Sequence, residues 1–137
     1  MSTELFKLAV PSTSLVGSPN FDQLLGRKCR ISYRYESAKE GFTIAEQLVF
    51  DGVESFKCTY YVASDLDMLE AYDRVLDVGR SSWLESVIRN LSNAKWNSKD
   101  LMHLRIFFDD GPCYEFICRS FNVFSAEVIA SPNDYSK

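Results

Sequence analysis

His103 is the only histidine of the chain, so any imidazole chemistry has a single possible base. It alternates along its segment with Arg105 and Phe107, on the less apolar side of Met102, Leu104 and Ile106. The register expected below sets it beside Arg119, where a second positive charge disfavours its protonated form. No serine or cysteine stands in a nucleophile motif such as GxSxG. A structural role for His103 is therefore the stronger expectation. A second group, Asp109-Asp110, is a carboxylate pair followed by Gly111-Pro112. Aspartate suits such turns because it accepts from nearby backbone N–H groups. Two adjacent Asp side chains offer too few oxygens to hold a metal, which leaves contact with basic groups of a partner as the functional option.

The densest negative stretch is Asp65, Asp67, Glu70, Asp73 and Asp77, tempered by Arg74 and Arg80. It reads either as a solvated face or as a surface for a basic protein. Asp109, Asp110, Asp65, Asp67, Glu70 and Asp73 are the candidate partner-binding residues. Glycine-rich phosphate loops, HExxH and Cys/His zinc spacings are absent, so no cofactor or metal is expected. The net charge of −4 opposes binding to nucleic acid or to an anionic membrane. Cys29, Cys58, Cys113 and Cys118 contain no CxxC and sit among apolar neighbours, as buried reduced thiols would. No segment has the roughly 18 apolar residues of a membrane span, and Glu4 and Pro11 break the pattern of a signal peptide. A cytoplasmic location is the expectation.

The elements that position these residues follow from periodicity. With 137 residues, the chain is expected to form one domain, 1–137, with 1–18 and 131–137 loosely ordered. Aromatics at 14% favour a β-rich core. Two aromatic segments flank Asp109–Pro112 as a hairpin. A five-residue loop, Asp109–Cys113, sets Phe108 against Tyr114, Ile106 against Phe116, Leu104 against Cys118 and Met102 against Ser120, gathering the apolar residues on one face. Asp51-Gly52 signals a second hairpin between Phe42–Phe50 and Val53–Tyr61, with Glu46 opposite Lys57. Cys29, Ile31, Tyr33 and Tyr35 alternate with polar residues in a half-buried strand. Further strands are expected at 4–10 and 121–130. Residues 64–78 read as a helical turn followed by a strand at 71–78, with one helix over 65–77 as the rival.

Ser18-Pro19 and Gly26 frame a short helix at 19–25. Ser82-Trp-Leu-Glu85 reads as a capping box opening a helix over 82–92, its apolar face made of Trp83, Leu84, Val87, Ile88 and Leu91. The expected fold is α+β: a mostly antiparallel sheet of six to seven strands. Helix 82–92 is expected to cover the face of Met102, Leu104, Ile106, Phe108, Tyr114 and Phe116.

Three stretches resemble small bacterial immunity proteins of polymorphic-toxin systems and their uncharacterised relatives. They are Val49-Phe-Asp-Gly-Val53, Ser82-Trp-Leu84 and His103-Leu-Arg-Ile-Phe-Phe-Asp-Asp-Gly-Pro-Cys-Tyr-Glu-Phe-Ile117. The resemblance implies a cytoplasmic, non-catalytic protein that binds a toxin and occludes it, and it carries over no functional residue. The alternative from the residues themselves is a small-molecule-binding or enzymatic domain, with Tyr33, Tyr35, Tyr60 and Tyr61 lining an aromatic pocket.

Overall fold

The computed structural model describes residues 2–109 and 111–130. Among these residues nine strands form two antiparallel sheets that face each other, where a single sheet of six to seven strands was expected. The strands are β1 (Thr3–Lys7), β2 (Asn20–Leu24), β3 (Lys28–Glu36), β4 (Phe42–Asp51), β5 (Ser55–Thr59), β6 (Arg74–Asp77), β7 (Met102–Phe107), β8 (Cys113–Cys118) and β9 (Ser120–Ile129). One sheet has the order β1-β6-β7-β8-β5 and the other β2-β3-β4-β9. The helix α1 spans Ser82–Asn93.

β8 is the centre, and all six of its residues are buried. Tyr114, Phe116 and Cys118 join Leu104, Ile106 and Phe108 in the core between the sheets. From the other sheet come Cys29, Ile31 and Tyr33 of β3 and Leu48 and Phe50 of β4. Phe50 stacks on Phe116 with ring centroids 3.9 Å apart, joining the two layers. The alternation expected for 29–35 is therefore present, and its apolar side faces inward.

The β7–β8 hairpin keeps the expected facing but not the expected pairs. Leu104 pairs with Phe116 and Ile106 with Tyr114, each two residues from the expected partner. The five loop residues are Phe108–Pro112, closed by Gly111 N–H donating to the Phe108 carbonyl at 2.7 Å. A slip of two preserves the side-chain period, so the same residues still point inward. His103 consequently faces Ile117, and not Arg119.

Helix α1 packs on the opposite face from the one expected. Leu84, with Trp83, Val87, Ile88 and Leu91 around it, lies against Leu101 and Ile117. The Met102–Phe116 face is already covered by the second sheet, whose inward strands supply a broad apolar surface. The helix cap is Ser81, whose Oγ accepts from Leu84 N–H at 3.1 Å, so the capping-box reading of Ser82 is one residue late. Glu85 instead pairs with Arg80 at 2.6 Å.

The Asp51-Gly52 hairpin does not form. β4 is paired on both edges, by β3 and β9, while β5 pairs with β8 in the other sheet. A two-residue hairpin needs φ > 0 at both turn positions, and only Gly52 has it, at +64°. The turn carries the chain across the sandwich edge: Val53 N–H donates to the Arg27 carbonyl and Glu54 N–H to that of Ile117. Lys57 therefore stands opposite Glu115 on β8, with its Nζ 4.0 Å above the Trp83 ring, and Glu46 is held by Tyr33 and Ser125. A Cβ on Gly52 would lie 2.9 Å from Arg119 Cβ. Gly52→Ala is expected to cost about 1–2 kcal/mol, from the left-handed backbone and that contact, read as a shift in urea midpoint at unchanged slope.

Residues 19–25 form β2 and not a helix. A helix of seven residues is marginal alone, whereas five register pairs with β3 place Phe21 against Tyr114 and Phe56, with centroids 5.3 and 5.4 Å apart. Between 64 and 78, a 3-10 turn at Met68–Ala71 precedes β6, which follows the turn-then-strand reading with a shorter strand. The segment expected to be loose at the amino end holds β1 and buries Leu8 and Leu15 in the core. The other segment expected to be loose, 131–137, lies outside the described residues.

Candidate functional site

His103 lies in a buried polar chain that the sequence did not announce. Its Nε2 is 2.8 Å from Glu115 Oε1, which also accepts from Arg105 Nε at 2.8 Å. Its Nδ1 is 2.7 Å from Ser81 Oγ. Burial pushes the Glu115 carboxyl up, but the hydrogen bonds from His103 and Arg105 and their positive charge outweigh it. The net position is below the ordinary value of 4.5. A carboxylate acceptor places a proton on Nε2, so a neutral ring leaves Nδ1 to accept from the Ser81 hydroxyl. Trp83 stands edge-on to the ring at 5.0 Å. The chain joins β8, β7 and the amino end of α1 by groups that are all satisfied. Sequence reading found His103 alone, because Ser81 and Glu115 reach it only through the register of β7 on β8 and the seating of α1.

The acidic candidates separate into structural and exposed groups. Asp73 is only 8% exposed. It sits at φ +57° between the 3-10 turn and β6, and its Oδ2 accepts from Ser12 N–H at 3.0 Å, so it is part of the frame and not of a surface. Asp77 likewise accepts from Gly79 N–H. Asp65 Oδ1 accepts from Met68 N–H and opens the 3-10 turn. Asp109 Oδ1 accepts from Tyr72 Oη at 2.7 Å, and its N–H donates to Ser12 Oγ. Asp110 lies outside the described residues.

Asp65, Asp67, Glu70 and Asp109 make no ion pair among the described residues. Elsewhere cations are matched to Glu54, Asp22, Glu4 and Glu85. The cations nearest this stretch are turned to other acceptors: Arg105 Nη1 donates to the Asp67 carbonyl and Arg74 Nε to that of Glu70. Of these carboxylates Asp65 lines an open groove of about 600 Å³, together with Tyr61, Ser64, Leu66, Leu69 and Phe107. Leu66 is 82% exposed and the neighbouring Tyr60 72%. Phe107, on the outward side of β7, is the buried floor, and Tyr72 packs on it at 6.4 Å. The residues after β5 fold this way because Asp65 and Met68–Ala71 make a local turn that buries Ala71 and leaves the two leucines outside.

The tyrosines proposed as one pocket are divided by the five-stranded sheet. Tyr33 is buried between the sheets, 6.2 Å from Phe108, and Tyr35 packs on the same core. Tyr61 lines the outer groove. Of the cysteines, Cys29, Cys113 and Cys118 are buried, with burial pushing Cys113 and Cys118 to about 12, whereas Cys58 on the edge strand β5 is exposed. Among the described residues no group of His, Cys, Asp and Glu is placed to hold a metal ion, and no helix is long and apolar enough to cross a membrane. Comparison with protein-family models, with curated proteins and with solved structures found no match to this chain.

Proposed function

We propose that this chain is a protein-binding module that engages a basic protein partner through the groove of Tyr61, Leu66 and Leu69. In the immunity-type reading that partner is a toxin, occluded by contact. The observation that carries the proposal is an exposed aromatic and aliphatic groove lined by Asp65, with Asp67 and Glu70 next in the chain to its two leucines, none of the three ion-paired among the described residues. Tyrosine and leucine anchors supply contact area that water leaves on binding, and the carboxylates steer a cationic surface toward it. The test is co-expression with the products of the genes beside this one, together with calorimetry on any purified pair that protects growth. Growth rescue and binding are expected. Leu66→Ala with Tyr61→Ala should weaken binding by about 30-fold or more, the cost of two anchors. Asp67→Lys should slow association and flatten its salt dependence between about 0.05 and 0.5 M. Unchanged affinity in both variants sinks the groove as the binding site.

A second reading, enzymatic, is favoured by the Ser81–His103–Glu115 chain, because Ser81 also lines a shallow groove of about 430 Å³ with Ser2, Asp67, Glu70 and Arg105. Hydroxyl, imidazole and carboxylate in sequence are what activates a serine nucleophile. Against it, Ser81 Oγ already takes up a helix N–H, and His103 is only 3% exposed. A fluorophosphonate probe that labels Ser81 would establish this reading, and absence of labelling removes it.

A further inference from the structure

We infer that β9 pairs edge to edge with β9 of a second copy, joining two four-stranded sheets into one of eight strands. Open sheet edges are ordinarily short, charged, bulged or interrupted by proline, because an unpaired row of N–H and C=O groups recruits another strand. Among the described residues the two sheets have four edges, and three are guarded in this way. β1 carries Glu4 and Lys7 and has a bulge between Glu4 and Phe6. β2 has five residues and Asp22, and β5 has five and Lys57. β9 has none of these guards. It runs ten residues without a break in register against β4, contains no lysine, arginine or proline, and carries one charge, Glu127. Two of its apolar side chains stay in solvent: Phe124 is 56% exposed and Ile129 77%.

The chemistry of the strand selects the occupant. An edge with a single carboxylate offers little to steer a strongly basic or acidic chain, but it is complementary to itself. Opposite residues of an antiparallel pair share a face, so a two-fold axis through the pair must match positions of the same parity. Centred on Phe124, the match sets Phe124 of one copy against Phe124 of the other. Asn122 then meets Ala126, Val123 meets Ser125 and Phe121 meets Glu127. Aromatic cross-strand pairs are among the favourable ones. The two Glu127 carboxylates fall at opposite ends of the ribbon, about 20 Å apart at 3.3 Å per residue, which is beyond the screening length at physiological salt. Each is also held by its own chain, through Ser37 Oγ at 2.6 Å. The acidic groove lies on the outward face of the other sheet, so both copies keep it open.

Light scattering on the full chain at about 100 μM should give twice the 15.7 kDa monomer mass. Phe124→Lys and Phe124→Glu should each raise the dissociation constant at least about ten-fold by placing like charges on the axis, and an equimolar mixture of the two should dimerise again. Circular dichroism checks that both variants are folded. A readout that needs no variant is amide exchange of the native protein: residues 120–129 should exchange more slowly at about 100 μM than at about 1 μM. A monomer at the higher concentration overturns the inference. So do a dimer unaffected by both substitutions, folded variants that fail to re-associate on mixing, and exchange in β9 that is independent of concentration.

Discussion

Glu115→Ala is expected to lower the free energy of unfolding by about 3–5 kcal/mol, the range for removing one partner of a buried charged group. Glu115 and His103 are each 3% exposed, and Glu115 Oε1 alone receives both His103 Nε2 and Arg105 Nε. Its loss leaves the buried imidazole and the Arg105 Nε–H without their shared acceptor, with the amino end of α1 tied to that imidazole through Ser81. Trp83 fluorescence reports the same place, since the indole stands edge-on to His103. The pH dependence has a definite sign. The folded carboxyl titrates below 4.5, the ordinary value. Its contribution is therefore complete above that value and is lost as pH falls through the lower folded one. Urea titrations of the wild type and Glu115→Gln should show a stability gap that is flat from about pH 7 to about pH 5 and narrows below about pH 4. A gap of constant size down to pH 3 would falsify the assignment of Glu115 as an ionised partner.

Phe116→Ala is expected to cost about 3–5 kcal/mol, by lost burial and the cavity left behind. Phe116 is fully buried on the central strand, stacks on Phe50 at 3.9 Å and lies 6.2 Å from Phe21, so it touches two strands of the opposite sheet. Neither layer can close the space without drawing the sheets together. Phe124→Ala, on the solvent side of β9, is the control and should change monomer stability by less than about 0.5 kcal/mol. In a double-mutant cycle, Phe50→Ala and Phe116→Ala should couple by about 0.5–1.5 kcal/mol, because each removes the other's stacking partner. Additive effects would mean that the sheets do not meet at this pair.

The groove and the β9 edge make separate demands on the surface. The groove presents Asp65 and its anchors on the outer side of the five-stranded sheet. The edge belongs to the four-stranded sheet and is nearly uncharged. Leu66→Ala should leave the oligomeric state unchanged, and Phe124→Lys should leave binding of a basic partner unchanged, so the two surfaces can be tested independently.

Local pattern alone determined which side of β3, β7 and β8 is turned to the core between the sheets. Cys29, Ile31, Tyr33 and Tyr35 alternate with polar residues, and a period of two survives any even shift, so the inward sides of β3, β7 and β8 were legible even though the β7–β8 pairs were displaced by two. The apolar stripe from Trp83 to Leu91 likewise marked α1, because a period near 3.6 is a property of the segment itself. Partner choice was not legible. Asp51-Gly52 sends β5 to another sheet because β4 satisfies both its edges elsewhere, and backbone pairing carries no local signature of which strand arrives. The same holds for the face that α1 covers, which depended on a second sheet competing for the inner side. Among the residues with chemical potential, His103 could be named from sequence, but its neighbours Ser81 and Glu115 are brought to it by register and helix seating. The exposure of Asp67 and the burial of Asp73, six residues apart in the chain, were decided in the same way: long-range contacts set which side of a turn meets water.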